Sequence, residues 1–107
     1  MNIQTKWADY VIVAVRYQQT TFSDSIERVR VFTDDGTALI NPDELSKYQV
    51  VLKLKNGYTF VTAYQENHSN QWKCGEDVRL VKHPLGDYLR TDSNRIAADN
   101  LGNLPRF

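Results

Sequence analysis

Apolar residues fall in short alternating runs along most of this chain. Tyr10 to Tyr17 is the first, with Val11, Val13, Val15 and Tyr17 on one face and Tyr10, Ile12, Ala14 and Arg16 on the other. Both faces are largely apolar until Arg16, which predicts a central strand. Gln18 to Ser25 is polar and reads as a loop. A second strand follows over Ile26 to Thr33: Val29 and Val31 share a face with Glu27 and Thr33, opposite Ile26, Arg28, Arg30 and Phe32. The short polar connection predicts that the two strands pair as an antiparallel hairpin. Asp34-Asp35-Gly36 reads as a turn, and Ala38 to Ile40 as a brief extended piece before a break at Asn41-Pro42.

Leu45 to Tyr64 satisfies two local rules at once. Val50, Leu52 and Leu54 alternate with Lys53 and Lys55 ahead of Asn56-Gly57, which is the pattern of a β-hairpin with a type I′ turn. The same residues carry the signals of a capped helix. Ser46 and Gln49 stand at the N-cap and N3 positions of a capping box, and Leu45 and Val50 are spaced as a hydrophobic staple. Lys53 and Lys55 would lie in the last turn, where the helix dipole favours cations, and Gly57 at C′. The capping signals favour the helix, which leaves Leu52 on or near its exposed side. Tyr58 to Tyr64 is a strand on either reading, with Tyr58, Phe60, Thr62 and Tyr64 on one face.

Beyond it, Gln65 to Asn70 reads as a turn-rich loop, and Trp72 to Cys74 resumes an extended path that Gly75 breaks. Asp77 to His83 and Tyr88 to Thr91 read as strands joined through a tight turn at Pro84-Leu85-Gly86, hence a hairpin. The tail is rich in Asp, Asn and Ser, yet Ile96, Leu101, Leu104 and Phe107 recur through it, which predicts a tail docked on the core. The expected fold is α+β. It has a five-stranded, mainly antiparallel twisted sheet or partial barrel, one short helix in the order ββαβββ, and a docked C-terminal tail. Residues 1–8 form a loose lead-in to a single domain spanning 1–107.

Thirteen basic and thirteen acidic residues among 107 leave no formal net charge, which argues against a strong non-specific polyanion binder. Cys74 is the only cysteine, so an intrachain disulfide is excluded. Val11 to Val15 is too short and too late for a signal peptide's apolar core, and no run approaches the ~20 apolar residues of a membrane helix. A cytoplasmic location, away from membranes, is expected.

The segments YVIVAVRY, IERVRVF, DVRLVK and YLRT, with the capped segment ending in Asn56-Gly57 and the close DNLGNLPRF, resemble a small bacterial family, domain-of-unknown-function family 3892. The resemblance runs from Asp9 onward. Its most specific parts are Tyr88 to Thr91, Asp99 to Leu101 and Leu104 to Phe107. It implies a helix over the segment matching Ser46 to Asn56, and it carries no activity, substrate or cofactor. The loop from Gln65 to Glu76, with His68, Trp72 and Cys74, departs from the family's plainer members.

The chemistry-bearing residues are sparse. Cys74 lies between the only histidines, His68 and His83, without a strained nucleophile turn or an oxyanion loop around it. The spacing of these three does not match a zinc site, and Asp34-Asp35-Gly36 and Asp92-Ser93-Asn94 lack the full ligand set of a calcium loop. No catalytic, cofactor or metal residue is assigned, and no cofactor is expected. One positional pattern remains: Arg16, Arg28, Arg30, Arg79 and Arg90 all fall in strands, with Phe32 and Tyr88 beside them. Were the registers to align, one sheet face would present arginines interleaved with aromatics to a partner. Three functions follow in order of preference. They are a small non-enzymatic protein-binding or adaptor module, a nucleic-acid-binding module using that face, and a thiol enzyme using Cys74.

Overall fold

The capping box closes as the residues dictate. In the computed structural model, which describes residues 6–19, 24–65, 71–84, 86–91 and 98–107, Ser46 Oγ accepts from Gln49 N, and Gln49 Oε1 accepts from Ser46 N. Helix α1 spans Lys47–Lys55. Gly57, at φ 91°, and Tyr58 end it by donating to the carbonyls of Leu54 and Lys53, a Schellman closure that requires a left-handed residue at Gly57. The staple residues Leu45 and Val50 are both buried.

Around this helix the described residues form β1 (Tyr10–Gln19), β2 (Asp24–Asp34), β3 (Leu39–Ser46), β4 (Phe60–Gln65), β5 (Trp72–Asp77), β6 (Arg79–His83) and β7 (Gly86–Arg90). Five strands make one sheet in the order β3-β2-β1-β4-β5, and β6 and β7 pair as a separate hairpin. The expectation of one helix in an α+β fold holds, as do the β1–β2 and β6–β7 hairpins. Three of its details need correction. The sheet is mixed, because β4 pairs parallel to β1 over Tyr10 to Ile12; a parallel neighbour needs a crossover, which the passage through α1 supplies. The order ββαβββ lacks two strands, β3 and β5, and the expected fourth and fifth strands leave the main sheet to pair with each other. Finally, the sheet stays open, with β3 and β5 as its two edges, and is not a barrel.

β-Bulges explain the strands that extend further than expected. Asn41, at φ 52°, and Pro42 do not end β3: between Val31 and Thr33 of β2 the edge strand accommodates one extra residue. An edge strand tolerates proline because no neighbour needs its missing N–H. Gly75 likewise does not break β5. There the register gains a residue between Ala63 and Val61, and a Cβ at Gly75 would collide with Thr62 Oγ1 and lie 2.9 Å from the Thr62 carbonyl oxygen.

Two further bulges re-aim side chains in the centre of the sheet. Val13 is the extra residue on β1 and Glu27 the extra residue on β2. One inserted residue reverses the alternation beyond it. Ile12 and Val15 therefore share a face, as do Ile26 and Val29, in place of the strict alternation expected. That face, with Val50 and Val51 of α1, Phe60, Val78, Leu89, Leu101 and Leu104, forms the larger core. The opposite face carries a smaller cluster of Ala8, Val11, Val61 and Ala63, flanked by Trp7, Val13, Leu39 and Trp72.

The larger core is locked by Asp99, whose side chain is fully buried. Its carboxylate accepts from Ile26 N at 2.7 Å, Leu89 N at 2.8 Å and Ser25 Oγ at 3.3 Å, and pairs with Lys47 Nζ at 2.8 Å. One side chain thus joins β2, β7 and the start of α1. The rest of the tail follows from it. Asn100 bridges to Arg90, Leu101 N donates to the Tyr17 hydroxyl, and Val15 N donates to the Pro105 carbonyl while Val15 O accepts from Phe107 N. Leu104 is buried as expected, whereas Phe107 is only half-buried and lies on the other side of the sheet; Ile96 lies outside the described residues. Near the start of the chain, Asp34 accepts from Trp7 N and Ala8 N, and Ala8 is buried, so a loose lead-in does not extend to those two residues.

Two stability predictions result. Asp99→Asn keeps the shape but sets an amide against Lys47 and two backbone donors. It should cost about 3 kcal/mol, the low end for breaking a buried ion pair because Lys47 keeps some water contact; urea unfolding measures it. Truncation after Gly102 removes Leu104 from the core and both bonds to Val15, and should cost roughly 2–5 kcal/mol. An unchanged melting temperature would show that the tail contributes nothing.

Candidate binding face

Alternation and the Val13 bulge place Arg16, Arg28, Arg30 and Phe32 on the face of the sheet opposite α1. Tail pairing adds Phe107 to them. The Arg30 guanidinium carbon sits 4.2 Å from the centroid of the Phe107 ring and that of Arg16 4.7 Å, while Arg16 Nε donates to the Phe107 carbonyl oxygen at 3.1 Å. Arg28 is held by Glu44 across the β2–β3 pair, Nε to Oε1 at 2.7 Å. Phe32 meets Trp72 edge to face at 6.0 Å. Between β2 and β3 the surface dips into an open groove of about 330 Å³, with Val13, Phe32 and Pro42 as apolar lining and Arg30, Asp43 and Glu44 as charged lining.

The other three predicted residues lie elsewhere. Arg79, Tyr88 and Arg90 belong to the β6–β7 hairpin, which packs through Leu80 and Leu89 against the α1 side of the sheet. Arg90 is buried and donates from Nη1 to the Ala98 carbonyl at 2.9 Å, so it secures the tail and is not presented to a partner. Tyr88 lies under Lys47 Nζ, 5.0 Å from its ring centroid, and against His83. Arg79 sits opposite Arg90 in the hairpin register. Phe107 and Trp72 were not foreseen as part of the face. Their place depends on which strand the tail and β5 pair with, and no local pattern encodes that.

Cys74 is exposed on β5, in a different sheet from His83 on β6; His68 lies outside the described residues. Partial burial of the thiol, and then the carboxylates of Asp77 and Asp34, push Cys74 above its ordinary pKa. A nucleophilic thiol needs the opposite shift. Asp34, Asp35 and Gly36 form a turn whose carboxylates accept from its own backbone, at Gly36, Thr37 and Ala38. Asp92 to Asn94 lie outside the described residues. Among the described residues, no group of three or more His, Cys, Asp or Glu is placed to hold a metal ion.

The fold and this face define a small α+β protein, its mixed sheet closed on one side by a helix, a hairpin and a docked tail. The chain belongs to the family described as protein of unknown function DUF3892, whose model matches residues 11–105. Comparison with curated proteins found no match, and comparison with solved structures found none.

The raised thiol pKa makes a direct prediction. At neutral pH Cys74 should be alkylated by iodoacetamide more slowly than a free model thiol. A faster reaction would restore the thiol-enzyme reading.

Proposed function

We propose that this chain is a small non-catalytic module that binds another protein through the helix-free face of its sheet. One observation carries the reading. Arg30 is exposed, rests over Phe107, and makes no hydrogen bond or ion pair with another described residue, at the edge of an apolar-floored groove. Arginine and aromatic side chains grouped in this way are the residue types that dominate protein interfaces. A cytoplasmic setting belongs to the same proposal; no helix among the described residues is long and apolar enough to cross a membrane.

The second reading, a nucleic-acid-binding face, is favoured by the two guanidinia at Phe107. It is weakened by Asp43 and Glu44 on the same groove and by the removal of Arg79, Tyr88 and Arg90 to the hairpin. Base stacking needs open rings, and the Phe107 ring already holds two cations.

Affinity capture from the native host with wild-type protein, Arg30→Ala, Phe32→Ala and Tyr48→Ala tests the first reading. Tyr48 lies on the exposed side of α1 and serves as the control. A partner retained by wild type and Tyr48→Ala but lost from the other two variants is expected. Absence of any partner, with no self-association by light scattering at high concentration, would remove the reading. For the second reading, a single-stranded oligonucleotide that fails to bind at low salt would end it.

A further inference from the structure

The outer edge of β5 turns its backbone to the outside at Cys74. Tyr10 N donates to the Thr59 carbonyl and Val78 N to the Phe60 carbonyl. Along β4, therefore, Phe60, Thr62 and Tyr64 aim their backbone groups at β5, and Val61 and Ala63 aim theirs at β1. Lys73 stands opposite Tyr64 and Cys74 opposite Ala63. Lys73 thus turns its backbone inward to β4, while the N–H and C=O of Cys74 point out from the sheet.

The two edges offer different things to a further strand. β3 has Pro42, a left-handed residue at Asn41, and Asp43 and Glu44 without a cation of its own. Proline, bulges and like charges keep an edge unpaired. β5, Trp72-Lys73-Cys74-Gly75-Glu76-Asp77, has no proline and carries a cation towards one end and two acids at the other. Lys73, Cys74, Glu76 and Asp77 are all exposed. Set against an antiparallel copy of itself, this order of charges is self-complementary.

Symmetry then selects the register. A two-fold axis through an antiparallel pair sets one residue against its own copy. An axis at Lys73 would oppose two lysines, one at the Gly75–Glu76 bulge two glutamates, and one at Asp77 two aspartates. An axis at Trp72 would leave both acids outside the paired segment. Only an axis at Cys74 opposes unlike charges. The bulge counts as one position, because Gly75 and Glu76 together face Thr62. With Lys73, opposite Tyr64, it lies on the α1 side of the sheet, where Phe60 enters the larger core. Lys73 of each copy then meets Glu76 of the other. The outward N–H and C=O of Cys74 bond reciprocally to those of the second Cys74.

We propose that β5 pairs antiparallel with β5 of a second copy about a two-fold axis at Cys74, continuing the five-stranded sheet from one copy into the next. A lysine guards an edge by finding no counter-charge on the incoming strand, and here the same strand supplies one. Cys74 marks the axis and takes no chemical role. The interface uses neither Arg30 nor the groove, so it stands or falls apart from the proposed function.

Sedimentation equilibrium of the full chain under reducing conditions tests it and should show a reversible monomer–dimer equilibrium. Lys73→Glu should weaken the dimer about tenfold or more, since two attractions become repulsions. Adding Glu76→Lys to that variant should restore the dimer, and Cys74→Ser and Arg30→Ala should leave it unchanged. The two Cys74 Cα atoms would lie about 5.5 Å apart, within disulfide reach. Oxidation with diamide at mildly alkaline pH should therefore trap a covalent dimer of the wild type and of the charge-swapped double variant, and far less of Lys73→Glu. A monomer at every concentration, indifference to Lys73→Glu, no recovery in the double variant, or a dimer that diamide does not trap would each overturn the proposal. Loss of the dimer in Arg30→Ala would move the interface to the sheet face and overturn it as well.

Discussion

Much of this fold depends on one buried carboxylate. β3 pairs with β2 only as far as Arg28, and beyond that point the Ile26 N–H needs another acceptor. Asp99 supplies it, and with its second oxygen takes the Leu89 N–H of the separate hairpin. A fully buried charge would be prohibitive alone, but Lys47 reaches it at 2.8 Å from the first residue of the helix. Sheet, hairpin, helix and tail are thereby referenced to a single side chain. This gives a physical meaning to the Asp99-Asn100-Leu101 part of the motif. The aspartate fixes the junction, the asparagine continues the chain as a bridge beside Arg90, and the leucine enters the core.

What could be read from the residues was what is determined locally. The helix between Ser46 and Gly57 is specified by caps within a dozen positions, and both ends form as those residues require. The strands were legible for the same reason, since alternation is a property of neighbours. Bulges are not. Val13 and Glu27 look like ordinary members of their strands, yet each shifts every later side chain to the other face. Asn41-Pro42 and Gly75 carry the signals of strand breaks, but at positions where a neighbouring strand accommodates them they become insertions in a continuing strand. The parallel contact of β1 with β4 lies still further from local pattern, because it depends on where the chain returns after the helix.

The binding face shows the same division. Arg28, Arg30 and Phe32 share a face by simple alternation and are found together. Arg16 joins them only because of the bulge at Val13, having been expected beside Tyr10. Arg79 and Arg90 carry the same sequence signature as Arg28 and Arg30, yet their strands form another sheet, where one of them is buried. Phe107, which positions two of the arginines, meets Arg16 across 91 residues of sequence. Residue type and strand pattern can nominate such a face, but only tertiary pairing can separate its members.

The docking of the tail also fixes an order of assembly. β4 borders β1 only from Tyr10 to Ile12, and further along the strand Val15 finds its backbone partners in Pro105 and Phe107. The central strand of the sheet is thus completed by residues made some ninety positions later. Until they arrive, part of its edge is open to any passing strand, and contacts of such long range are slow to form. The tail works as a latch on a growing chain, and the interval before it closes is when this protein is most exposed to pairing with the wrong neighbour.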